Sequence, residues 1–436
     1  MPRRMTLAAL ISALYFMVSG GPYGLEELAK DVGFRASIAI LVFTPIVWSV
    51  PTALMVGELA SALPHEGGYY VWVRRALGPF WGYQEAWLSL ASSVFDMAIY
   101  PTLFVLYAGR LWPQVAAHPV LVGAVVIAAG AAFNLAGAWA VGEGSAAMTV
   151  LLLAPFGVLA ALGFLAFGHA PAPPSSSSVS PGLSSHVDFA GGMLVAMWNY
   201  MGWDNASTVA GEVDRPQRTY PLAVLAAVGL VALTYVVPVA AMRAAGVDPS
   251  GWETGAWVDA GRTFGGSPLA IAIVVGGMVS AFGMFNALCL SFSRLPVALA
   301  EDGYLPRVLA RRFPRNGAPW VAVLTCSAAW MLSLGLSFDR LVSLDILLYG
   351  TSLVLEFVAL VVLRVREPQL PRPFRVPGGL AGAALLGVGP VALLGFALAK
   401  NADEHVGQVN ALVFAAGVQA AGIVAYAIAR RFGRAR

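Results

Sequence analysis

Apolar residues are gathered into long blocks separated by short polar joints. About twenty consecutive apolar residues in a helix span the hydrocarbon layer of a membrane. Twelve blocks approach or exceed that length: residues 6–31, 37–63, 79–109, 119–138, 142–168, 188–213, 220–243, 266–293, 319–336, 341–363, 379–399 and 407–429. The pattern predicts an all-α integral membrane protein with twelve transmembrane helices. Two blocks are interrupted. The first contains Ser19, Gly20, Gly21, Pro22, Tyr23 and Gly24 in a row, and the sixth contains Trp198, Asn199, Tyr200, Gly202, Trp203, Asp204 and Asn205. Glycine and proline in a helix interior open its hydrogen-bond ladder. Backbone freed at membrane depth must be answered by a cavity, a ligand or other protein groups. A single Gly-Gly-Pro could be a simple kink, but here a second block breaks as well. Between the second and third blocks, residues 64–75 combine Tyr69, Tyr70, Trp72, Arg74 and Arg75. They predict an interfacial amphipathic segment with its aromatic residues at headgroup level. A Pro/Ser-rich stretch, 171–187, reads as a flexible extracytoplasmic linker.

Composition agrees with the pattern. Of 436 residues, 58% are hydrophobic and only 11% charged, against roughly 25% charged in soluble domains. Cys289 and Cys326 lie in apolar runs and offer neither a disulfide framework nor a metal spacing. The net charge of +3 is spread over loops, so a nucleic-acid partner is not expected. The first block lacks a small-residue cleavage site where one is expected and reads as a membrane helix, not a removed signal peptide. With the N-terminus in the cytoplasm and twelve crossings, 19 of the 26 Lys and Arg residues fall on the cytoplasmic side. Lys30, Arg35, Arg110, Arg243, Arg262, Arg340 and Lys400 make the outer seven. This bias predicts both termini inside a cell inner (cytoplasmic) membrane.

Interrupted helices five blocks apart point to a secondary transporter whose substrate site lies between two inverted repeats. Amides at a half-helix start attract a carboxylate, and carbonyls at a half-helix end attract an ammonium. Candidate substrate contacts are Ser19, Gly20, Gly21, Tyr23 and Gly24 at the first break and Trp198, Asn199, Tyr200, Gly202, Trp203, Asp204 and Asn205 at the second, with Asp96 midway along the third block. Trp198 and Trp203 can hold an amine by cation–π attraction or simply pack. Asp204 and Asp96 can bind a cationic substrate, carry a coupling proton, or pair with a structural partner. Glu26, Glu27, Glu58 and Tyr349 are vestibule or gate candidates. Glu26 and Glu27 can equally lie on a solvated outer face, and Glu58, with Glu356, can make structural hydrogen bonds. Asn286, Ser343 and Tyr349 can equally serve interhelical hydrogen bonds.

The stretches Gly20–Glu27 and Trp198–Thr208 resemble the polyamine–proton symporter branch of the amino acid–polyamine–organocation permeases, which includes plant polyamine uptake transporters. Residues 57–60 with the 64–72 loop, 211–216, 298–306 and 372–377 carry the same resemblance, which extends over nearly the whole chain. It implies a five-plus-five inverted repeat with two added helices. The corresponding division is 1–170 for the first repeat, 171–187 for the linker, 188–365 for the second repeat, and 366–436 for the last two helices and a basic cytoplasmic tail. One departure stands out. Many amino-acid permeases of the superfamily carry a lysine in the fifth helix in place of a sodium ion, whereas residues 149–156 here contain none.

No histidine lies in a predicted midplane and no lysine in a helix interior, so proton coupling would rest on Asp204 or Asp96. The expected function is secondary active transport of an amino acid or polyamine by alternating access, proton-coupled, with a cationic amine favoured. An amino-acid exchanger of the same fold, a channel and a non-transporting membrane sensor are the alternatives. No Gly-x-x-x-x-Gly-Lys-Ser/Thr motif and no nucleophile–base spacing is present, so neither a primary pump nor an enzyme is expected, and no cofactor is called for. The expected partners are the small-molecule substrate, the proton and the lipid bilayer.

Overall fold

The computed structural model describes residues 5–168, 188–403, 405, 406 and 408–433; the linker expected at 171–187 lies outside them. In chain order the α-helices are α1 (Leu7–Val18), α2 (Glu26–Thr44), α3 (Val50–Ala62), α4 (Gly68–Leu77), α5 (Pro79–Gly109), α6 (Pro113–Ala116), α7 (Pro119–Asn134), α8 (Ala138–Leu165), α9 (Phe189–Asn199) and α10 (Pro216–Ala245). They continue as α11 (Ala256–Phe292), α12 (Arg294–Glu301), α13 (Trp320–Trp330), α14 (Phe338–Arg366), α15 (Gly379–Leu386), α16 (Val388–Lys400) and α17 (Ala411–Gly433). Strands β1 (His405–Val406) and β2 (Val409–Asn410) form a short antiparallel pair before α17.

The helices fall on the expected blocks. Among the described residues, eight helical stretches are long and apolar enough to cross a membrane. The other four expected spans are the two interrupted ones and the shorter apolar helices at 119–134 and 320–333. Gly33 (φ +72°, ψ 160°) turns the chain inside α2, so 26–32 completes the first span and 34–44 begins the second. That second span continues through a π-helical turn at Pro45–Ser49 into α3. Gly266 (φ +69°) does the same inside α11 and starts the eighth span.

Polarity is turned inward, as lipid requires. Leu332 is 81% exposed, whereas Glu26, Glu58, Glu85 and Glu356 are fully buried. The interior is organised around α5, which packs on α4, α7, α11 and α14, while α11 packs on α8 and α1. Neighbouring α5 and α14 run antiparallel. Arg75, just before α5, forks onto Glu367, just after α14, at 2.9 and 2.7 Å, and Arg366 donates to the Ala76 carbonyl. That fork holds the Glu367 carboxyl below the usual carboxylate range. This end of the bundle also carries Arg74, Arg312 and Arg364 in ion pairs and is called the basic end below.

The segment expected at headgroup level differs from that expectation. It forms α4, but Tyr69, Tyr70 and Trp72 are buried inside the protein. Protein partners outcompete the lipid interface here. Tyr70 donates to Asp302, Trp72 donates to the Leu63 carbonyl, and Gly68 lies against Ser207 and Thr208 of the sixth span.

Candidate functional site

The two breaks meet in the middle of the bundle. After α1 the chain becomes extended at Ser19 and passes through Gly21 (φ +74°) and Gly24 (φ +87°) into α2. After α9 it passes through Gly202 (φ +92°) into a 3₁₀ helix, Asn205–Glu212. A side-chain carbon at Gly202 would lie 2.5 Å from the Met17 carbonyl, so glycine allows the two broken segments to touch.

Much of the freed backbone is already answered by side chains. The Ser280 hydroxyl donates to the Gly20 carbonyl at 2.6 Å, Trp257 to Pro22 at 2.8 Å and Tyr235 to Asn199 at 2.7 Å. Three amides are taken as well: Gly21 by the Ser19 hydroxyl, Gly24 by Glu26, and Gly202 by the Tyr349 hydroxyl. These amides would otherwise be positioned to receive a substrate carboxylate.

Beside the breaks lies a small cavity. Of the candidates, Asp96, Trp198, Gly202, Asn205 and Tyr349 line it. Asp345 of α14 lines it too and was not singled out from the sequence. Two carboxyl groups thus face one space, joined by Tyr100, which donates to Asp96 at 2.5 Å, and by Trp198 beside the same carboxyl. No arginine, lysine or histidine is among the lining residues. Asp204 sits just behind the wall, accepting a hydrogen bond from Tyr349. Tyr349 is therefore part of the site, bridging Asp204 and the Gly202 amide.

The remaining candidates are placed elsewhere. Tyr23 joins an aromatic cluster with Tyr107, Phe156 and Trp257 on the side away from the basic end. Trp203 is fully buried in the core, and Tyr200 donates to the Leu41 carbonyl. Asn199 is bonded within its own helix to Val195. Glu26 is not on a solvated face: it is buried and accepts from Gly24, Gly255 and Tyr107. Glu27 is half-buried against Thr254. Glu58 is locked at the basic end by Arg364, Arg372 and the Val376 amide. Asn286 makes an interhelical bond with Asn134 at 2.8 Å. Where a fifth-helix lysine was absent from the sequence, buried Leu152 of α8 packs on Gly21.

Residues 11–419 match the family model described as amino acid permease. The chain belongs to the amino acid permease family. This permease is 34% identical over 405 residues to "Polyamine transporter RMV1" of Arabidopsis thaliana, covering 91% of the chain and 80% of the relative. It is 34% identical over 403 residues to "Polyamine transporter PUT1" of rice, Oryza sativa subsp. japonica, covering 92% and 74%. An uncharacterized transporter of Mycobacterium tuberculosis is 31% identical over 332 residues, covering 74% and 71%. The permease is a multi-pass membrane transporter and not an enzyme.

Asp345 could have been noticed in the sequence as an ionisable residue inside an apolar block. What the sequence lacks is the packing of α14 on α5 that brings it to Asp96.

Proposed function

We propose that this permease is a proton-coupled transporter of polyamines, working by alternating access across the cytoplasmic membrane with both termini and the basic end in the cytoplasm. The observation that carries the reading is the pair Asp96 and Asp345 on one cavity whose lining holds no basic side chain. A buried charge needs a partner. A substrate with two or more ammonium groups gives each carboxylate one. A zwitterionic amino acid would bring a carboxylate for which the lining offers no cation, and the Gly21, Gly24 and Gly202 amides are already engaged. Trp198 adds an aromatic wall suited to an amine. The names of the two plant relatives point the same way.

The halves 1–170 and 188–365 are read as inverted repeats joined by 171–187, with 366–436 appended. Packing supports this: exchanging the first five spans with the next five turns the α5–α14 contact into the α11–α8 contact. Glu26, which ties the first break to the loop before α11, suits a gate on the outer side, with Glu27 at its rim.

Uptake into proteoliposomes tests the reading. Labelled spermidine is expected to accumulate under an inward proton gradient and to be displaced by putrescine but not by alanine or leucine. Transport of an amino acid that neither putrescine nor spermidine displaces would sink it.

A further inference from the structure

Two acids stand eleven residues apart on α5, Glu85 and Asp96, and two on α14, Asp345 and Glu356. Eleven residues are just over three helical turns, so each pair shares a helix face and is separated by about 16 Å. Because α5 and α14 are antiparallel neighbours, the four acids form two tiers. The upper tier, Asp96 and Asp345, lines the cavity. The lower tier, Glu85 and Glu356, lies toward the basic end, with Asp204 next to Glu356.

The lower tier is fully buried and its bonding is incomplete. Neither oxygen of Glu356 has a donor among the described residues, nor has Oε2 of Glu85. The buried Tyr69 hydroxyl of α4 faces the same three carboxyls, with Ser89 beside it. Among the described residues, Tyr349 donates to Asp204 and Ser89 to Glu85 at 3.4 Å. The cations nearest in sequence, Arg364 of α14 and Arg74 and Arg75 of α4, are engaged by Glu58, Asp302 and Glu367. Two carboxylates are both acceptors, so they bond to each other only when one holds a proton. Three unneutralised carboxylates cannot share a water-poor interior, where each costs several kcal/mol.

We infer that Glu85, Glu356 and Asp204 form the proton-holding centre of the permease. A proton arriving through the cavity on Asp204 passes to Glu356: the O–H bond on Asp204 breaks as one on Glu356 forms. The proton leaves by way of Glu85 toward the basic end. Asp96 and Asp345 are left to hold the substrate, so the two cargoes occupy different tiers. This rests on the transport reading above and assigns the coupling site within it.

The test uses the full-length protein with Glu85→Gln, Glu356→Gln and Asp96→Asn. In proteoliposomes both glutamine variants are expected to keep spermidine counterflow while gradient-driven accumulation falls to the equilibrium level. Asp96→Asn is expected to weaken both. Accumulation by Glu85→Gln and Glu356→Gln equal to that of the unsubstituted protein overturns the inference. A second measurement needs no substrate. Infrared difference spectra of the purified protein across a pH step are expected to show a buried carboxylic acid band that either glutamine variant removes. Absence of that band from the unsubstituted protein, or its persistence in both variants, overturns the inference even if the transport reading fails separately by the absence of any amine uptake.

Discussion

Gly202 combines a positive φ with a neighbouring backbone carbonyl, that of Met17, and neither can be relieved by a side-chain rotation. Gly21 also has a positive φ, but a methyl there would meet only the flexible Leu152 side chain at 3.0 Å. Gly202→Ala is therefore expected to abolish transport by forcing the two breaks apart. Gly21→Ala is expected to reduce it while adding about 1 kcal/mol of backbone strain. Initial uptake rates of both variants at matched protein levels check the order, and equal rates would mean the breaks need not touch. Asp345 gives the second prediction. If it receives one ammonium, Asp345→Asn removes a charged hydrogen bond of about 1.5–3 kcal/mol. That raises the KM for spermidine about ten- to hundredfold. A monoamine held by Asp96 alone should be less affected. An unchanged ratio of the two KM values would place the second ammonium elsewhere.

At the scale of elements, the basic end is held by one buried ion cluster. Glu58 of α3 accepts from Arg364 of α14, from Arg372 and from the Val376 amide. Removing one partner of a buried pair costs about 3–5 kcal/mol, because the other charge is left unmatched. Glu58→Ala is expected to lose this much, Glu58→Gln less, and Glu58→Ala with Arg364→Met to recover part of the loss. Thermal unfolding in detergent orders the three, and a double variant no better than Glu58→Ala would show that Arg364 is satisfied by its carbonyl partners alone. The elements themselves were largely legible in the sequence, because lipid imposes a length and a polarity on each span that survive averaging along one helix. Both breaks were legible because glycine, proline and polar residues are costly there. What lay between elements was hidden. Nothing in the α4 sequence said that Tyr69 and Trp72 face protein and not headgroups. The eleven-residue spacing of acids on α5 and α14 acquires meaning only once those helices are neighbours. Glu26 looked like an outer-face acid because its three donors come from the local break, α5 and the loop before α11.

For the molecule as a whole, the compartment toward which the lower acid tier opens depends on which side the basic end faces. The cavity, the lower acid tier and the basic end follow one another along α5 and α14, so a proton leaving the lower tier emerges among the arginines. If those arginines are cytoplasmic, as the charge bias argues, proton and amine travel inward together. If the protein were reversed, the lower tier would open toward the outside, and the proton gradient would still set the direction of transport. Thiol labelling separates the two, since Cys289 and Cys326 are both buried and form a silent background. Ser250 is exposed in the loop between α10 and α11, at the end opposite the basic one, and Arg315 is exposed between α12 and α13. In right-side-out membrane vesicles, a membrane-impermeant maleimide is expected to label Ser250→Cys at once. Arg315→Cys is expected to react only after the membrane is permeabilised, and the unsubstituted protein not to react at all. The opposite order would reverse the topology and turn the Glu85–Glu356 tier toward the outside.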